Sequence, residues 1–173
     1  MPKNTPFHWL DTFAAAAGLL LLANIAAGQA PAGVPAEPLV VRSIAEVETR
    51  TVVAGHEVVK LAPADRVVPG DRVIYTLEAR NTAAAALEAP TITFPVPEYM
   101  RYVANSAVGP GAEVSYSVDG GHHFDSPLNL TLLGPAGRPR PAAAADYTHI
   151  RWQLKHSLKP NSVAFVRFRA VVK

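Results

Sequence analysis

The chain has 173 residues, with 16 Lys and Arg against 14 Asp and Glu, and no cysteine. A formal net charge of +2, spread evenly, excludes the basic stripe that nucleic acid or an anionic membrane surface would require. Without cysteine there is no disulfide to constrain the unfolded chain and no thiol for lipid attachment, so stability rests on a hydrophobic core, which a chain of this length can build as one domain.

Lys3 opens a short polar start, and residues 13–23 are an unbroken apolar run in which small residues give way to Leu19, Leu20, Leu21 and Leu22. Residues 24–32 are rich in Ala and Gly, with Pro31 and Pro35 closing the segment. A positive start, a short apolar centre and a small-residue exit form the layout of a secretory signal peptide, expected here over residues 1–32. Ala30 with Ala32, or Ala26 with Gly28, meets the small-x-small rule for cleavage, and Pro31 disfavours a cut directly after Ala30. An uncleaved anchor is the alternative, but Asn24 and Pro31 interrupt the run before the ~20 apolar residues that a spanning helix needs. The expectation is a chain exported to the periplasm, the cell surface or beyond, with no stable membrane span in its mature form. Residues 33–38 read as a Pro/Ala linker.

From Leu39 the pattern alternates. Over residues 39–50 apolar and polar residues trade places with small slips, as in a half-buried strand, and residues 57–61 read as its return after the Ala54-Gly55-His56 turn. Val68-Pro69-Gly70-Asp71 is a second turn, in which Pro presets φ and Gly tolerates a positive φ. Residues 72–80 are the clearest strand: Val73, Tyr75, Leu77 and Ala79 share one face, while Arg72, Thr76, Glu78 and Arg80 share the other with Ile74. An alanine-rich connection leads to a short strand over residues 91–94, stopped by Pro95 and Pro97. Another strand follows over residues 99–108, ended by Gly109-Pro110-Gly111.

Residues 113–118 alternate again. Asp119-Gly120-Gly121 has hairpin-turn chemistry, with residues 122–124 expected to begin the return strand. Residues 126–145, rich in Pro, Gly and Ala, predict a long exposed loop. Two strands finish the chain. In the first, Ile150, Trp152 and Leu154 face inward against His149, Arg151, Gln153 and Lys155; in the second, Ala164, Val166, Phe168, Ala170 and Val172 oppose Arg167, Arg169 and Lys173.

Seven to nine short strands with turns roughly every ten residues predict an all-β domain over residues 39–173, an immunoglobulin-like antiparallel β-sandwich. A closed barrel is the competing arrangement, because periodicity does not separate the two. Trp152, Tyr75 and Phe168 are the expected centre of the core.

The run Pro69-Gly70-Asp71-Arg72-Val73-Ile74-Tyr75-Thr76-Leu77-Glu78-Ala79-Arg80-Asn81 resembles the PGD-x-V-x-Y-x-(hydrophobic)-x-x-x-N core of a secreted conserved-repeat family, domain of unknown function eleven. The order of later segments is also similar: Tyr102-Val103-Ala104-Asn105-Ser106, Ser117-Val118-Asp119-Gly120-Gly121, Ile150-Arg151-Trp152, and Leu158-Lys159-Pro160-Asn161, where the family usually has Pro-Gly. The resemblance covers roughly residues 59–173. It implies an immunoglobulin-like module of an exported or cell-surface bacterial or archaeal protein. The family has no agreed catalytic residues to carry over. With a single copy, a small exported protein is expected rather than a long stalk.

The densest polar constellation is Asp119-Gly120-Gly121-His122-His123-Phe124-Asp125. Imidazole nitrogen and carboxylate oxygen together suit Zn²⁺ or Cu²⁺, with Asp119, His122 and Asp125 as the candidate metal ligands. In a strand, however, His122 and His123 point to opposite faces, and an exposed polar hairpin turn is the simpler reading, with no cofactor expected. His56, His149 and His156 read as surface residues. Ser, His and Asp occur without a Gly-x-Ser-x-Gly elbow, so no catalytic residue is assigned. Asn129-Leu130-Thr131 matches a glycosylation acceptor by chance. Arg138 and Arg140 read as solvated loop charges or as a small contact for an acidic partner.

The expected function is therefore a non-enzymatic exported module with structural, adhesive or protein-interaction roles at the bacterial cell envelope. The first alternative is a self-assembling filament or pilus-like subunit, because residues 39–53 could pair with a neighbour's sheet edge as well as with their own. A metal-binding protein built on residues 119–125 is the second.

Overall fold

The computed structural model describes residues 37–135 and 137–173. The expected leader, residues 1–32, and residues 33–36 of the expected linker lie outside them. Among the described residues no helix is long and apolar enough to cross a membrane.

The described chain is all-β. Its strands are β1 (Leu39–Val53), β2 (His56–Pro63), β3 (Arg72–Asn81), β4 (Thr91–Pro95), β5 (Met100–Tyr102), β6 (Ala112–Ser117), β7 (Thr131–Leu133), β8 (Pro139–Pro141), β9 (His149–Leu154) and β10 (Val163–Val172). Every pairing between them is antiparallel. A five-stranded sheet runs β2-β1-β3-β10-β5, a three-stranded sheet runs β4-β9-β6, and β7 and β8 form a small ribbon.

The period-two alternation decides which face is buried. On β3, Val73, Leu77 and Ala79 are fully buried, and on β9 so are Ile150, Trp152 and Leu154. On β10, Val166, Phe168 and Ala170 complete the set, so the two larger sheets meet across one core. Trp152 and Phe168 pack with ring centroids 6.1 Å apart and link the sheets directly. Tyr75, the third expected centre, sits at the margin: partly exposed, it stacks on Phe168 at 4.9 Å. Beside them lies a tyrosine cluster in which Tyr102 and Tyr116 share a hydroxyl hydrogen bond of 2.9 Å and Tyr116 stacks on Tyr147 at 4.4 Å. Burial holds the Tyr116 hydroxyl far above its ordinary pKa, so it stays a neutral hydrogen-bonding group.

Several local expectations are corrected. The return strand expected over residues 122–124 is absent: the chain makes a wide loop and rejoins β6 through one bridge, in which the backbones of Tyr116 and Asp125 exchange hydrogen bonds of 2.9 and 3.0 Å. The strand expected over residues 99–108 pairs regularly only as β5; Asn105 then takes φ 58°, and Val108 meets Arg167 in an isolated bridge. The loop expected over residues 126–145 contains β7, β8 and a 3-10 turn at Ala144–Asp146. Pro139 and Pro141 are tolerated in β8 because, among the described residues, it pairs with β7 alone.

Candidate functional site

The 117–125 segment is a turn held by its own side chains. Ser117, fully buried at the end of β6, donates its hydroxyl to Asp119 Oδ1 at 2.7 Å and accepts the Gly121 N–H at 2.9 Å. Asp119 Oδ1 also accepts the backbone N–H groups of His122 (3.1 Å) and His123 (3.0 Å), and Oδ2 lies 2.6 Å from His123 Nδ1. The His123 backbone N–H, the Ser117 hydroxyl and the His123 ring hold the Asp119 carboxyl well below the usual carboxylate range. Gly120 and Gly121 take φ of 77° and 90°, which other residues reach only with strain.

Asp125 is engaged separately. Its Oδ1 accepts Asn129 Nδ2 at 2.9 Å and the Ser126 N–H at 2.6 Å, which lowers its pKa, the Asn129 amide being the larger cause. Asp119, His122 and Asp125 do line one shallow cleft of about 480 Å³. Yet the ring that meets the Asp119 carboxylate is His123, and His122 enters the network through its backbone N–H. Among the described residues no group of three or more His, Asp or Glu side chains is arranged to hold a metal ion. Chemically, this carboxylate organises a turn.

Arg140 is not a free contact charge. Its guanidinium makes a two-point pair with Asp146, at 2.7 and 2.9 Å, and the Asp146 carboxyl falls to about 2, chiefly through that pair. Arg151 lies over the Phe124 ring at 3.6 Å, a favourable cation–π contact.

A second region is formed by β1, β2 and the outward face of the large sheet; the sequence indicated the two strands and their turn but not the cleft or the overhang. β1 is 15 residues long. It pairs with β3 through Val47 and with β2 from Glu46 onward, so, among the described residues, residues 48–53 pair with β2 alone and reach past β3. This arm turns at Ala54-Gly55 with φ of 51° and 81°. Val52 is 74% exposed, and Val53, Val59 and Leu61 are also exposed. Val59 and Leu61 stand opposite Arg50 and Glu48, on the same face as Val52 and Glu57. Arg50 bonds Glu57 at 3.0 Å, an exposed pair, while Glu48, nearly buried, accepts Arg169 Nε at 2.9 Å.

At the root of the arm is a cleft of about 530 Å³ lined by Glu48, Arg50, Arg72 and Arg169, with residues 103–106 as its far wall. Two of its three guanidiniums, Arg50 and Arg169, are already paired with Glu57 and Glu48. Further along the same face Ile44, Val108 and Phe165 are exposed beside Arg167. The sequence did carry a signal for this region, since a 15-residue alternating run is longer than the strand it pairs with.

Comparison with protein families, with curated proteins and with solved structures found no match.

Proposed function

We propose that this protein is an exported, non-enzymatic β-sandwich module, immunoglobulin-like in topology, that makes structural or adhesive protein contacts at the bacterial cell envelope. The export leader read in residues 1–32 and the likeness of residues 69–81 to secreted conserved-repeat modules support the location. The projecting β1–β2 arm is the observation that carries the contact role. A two-stranded ribbon is marginal by itself in water, yet this one leaves the core and presents Val52, Val53, Val59 and Leu61 to solvent. Apolar side chains grouped on a protruding element mark a surface for another protein.

Fractionation of the producing cell, combined with a photoreactive residue at Val52, tests the reading. The expected result is a chain shortened by its leader, located outside the cytosol, that forms adducts of discrete mass from Val52. The same probe at Leu128, exposed on the loop between β6 and β7, gives none. An unprocessed cytosolic chain, or equal labelling from both sites, contradicts the reading.

A further inference from the structure

We infer that the bare half of the β1 edge pairs with the same strand of a second copy, closing a two-fold dimer. This inference rests on reading the protein as a contact module.

Two hydrogen bonds fix the direction of every backbone group along β1. Thr82 N–H donates to Pro38 O at 2.9 Å, and Ala64 N–H donates to Ala45 O at 3.1 Å. In an antiparallel pair the bonded positions alternate. Even-numbered residues of β1 therefore point their N–H and C=O groups at β3, and odd-numbered ones point away from it. From Ala45 onward β2 takes the odd set, but β2 ends at Pro63. Among the described residues, Leu39, Val41 and Ser43 are left with backbone groups directed at no strand. The opening is bounded at both ends. Glu37 O accepts Thr82 Oγ1 at 2.9 Å, and Ala45 O is already taken by Ala64.

The other edges of the two larger sheets are blunted as soluble sheets usually are. β2 carries Lys60 and ends in Pro63, β4 ends at Pro95 with Pro90 just before it, β5 has only 3 residues, and β6 carries Glu113 and is met at Tyr116 by the Asp125 bridge. Leu39-Val40-Val41-Arg42-Ser43-Ile44 contains no proline and one charge. Val40 is 49% and Ile44 44% exposed. A β-branched run of this kind on an open edge is a template for another strand.

The occupant follows from register. Placed antiparallel about a two-fold axis at Val41, Leu39 stands opposite Ser43 of the second copy and Val41 opposite Val41. All are odd positions, so each pair exchanges both of its bonds. A slip of one residue sets odd positions against even ones and forms no bonds. A slip of two in either direction runs past an end of the opening. On the inner face Leu39 and Val41 of both copies meet, on a part of β1 where Val41 is still 39% exposed. On the outer face Val40 stands opposite Arg42, so no two arginines face each other directly. Because the same patch serves both copies, the contact closes at two and builds no filament.

The test uses the chain as recovered from the producing cell, in analytical ultracentrifugation, with two variants. Val41 lies on the axis, and bonded partners have Cα atoms about 5.5 Å apart, within disulfide reach. With no other cysteine present, Val41→Cys is expected to cross-link as a dimer on oxidation. Val41→Pro removes no rung to β3, because the Val41 N–H points away from it. It is expected to keep the circular dichroism of the unaltered chain while weakening association about 100-fold or more. If that variant misfolds, Val41→Lys reads the same contact. A monomeric unaltered chain, a dimer untouched by the folded variants, or a dimer in which Val41→Cys fails to cross-link overturns the inference. None of these outcomes bears on the module reading, which is measured separately by the location of the chain and the adducts from Val52.

Discussion

Asn81 shows how much one buried polar side chain can organise. It is fully buried; its Nδ2 donates to Ala85 O and Leu158 O, both at 2.8 Å, and its Oδ1 accepts the Ala83 N–H at 2.9 Å. Three backbone groups of two connections depend on it, and Asn81→Leu strands them, at a cost of about 2 kcal/mol or more. Thermal unfolding monitored by circular dichroism checks this. Gly109 is constrained differently: a Cβ there would lie 2.8 Å from Val166 Cγ1 and 3.1 Å from Trp152 Cδ1. Gly109→Ala therefore overpacks the core and is expected to lower stability by about 1–3 kcal/mol in denaturant titration. The acidic residues set the pH response. Asp119, Asp125 and Asp146 all titrate below their ordinary values in the folded chain, so their contribution is full above the usual carboxylate pKa of about 4. It is lost as pH falls through the folded values, which for Asp146 means about 2. The melting temperature is expected to fall through that window, less steeply in Asp119→Asn, which removes one of the three lowered carboxyls.

Strands were legible wherever one face is buried. The alternation of β9 and of the centre of β10 named the inward residues, because a period of two on a half-buried sheet records its environment in the side chains. On β3 it named Val73, Leu77 and Ala79, but Ile74, read as outward, is also buried and Tyr75 only partly so. Elements stabilised by a few specific bonds left no such record. The ribbon β7–β8 is three residues a side, and the loop after β6 owes its shape to Ser117, Asp119 and Thr148, whose hydroxyl accepts the Gly120 N–H at 3.1 Å. Asp119, His122 and Asp125 are close in sequence and do line one cleft, but the sequence did not show that the two carboxylates are engaged in turn contacts, Asp119 with Ser117 and His123 and Asp125 with Asn129. The arm was half legible: its alternation was plain, whereas its overhang depends on where β3 starts and β2 stops. The open edge of β1 is a property of that same mismatch. At this scale Phe168→Ala is the sharpest probe of the two-layer packing, since it removes the ring between Tyr75 and Trp152. A loss of about 3–5 kcal/mol is expected in denaturant unfolding.

For the whole molecule, the central claim is that β1 is an integral strand of the large sheet whose opposite edge is available for contact. Residues 39–53 therefore belong to the folded body and do not act as a loose donor strand. Residue-resolved amide hydrogen exchange tests this most directly. The account predicts slow exchange at Val40, Arg42 and Ile44 at every concentration. At Val41 and Ser43 protection grows as the concentration is raised. Fast exchange at Val40, Arg42 and Ile44 would contradict it, because β1 would then not be held by β3 at all.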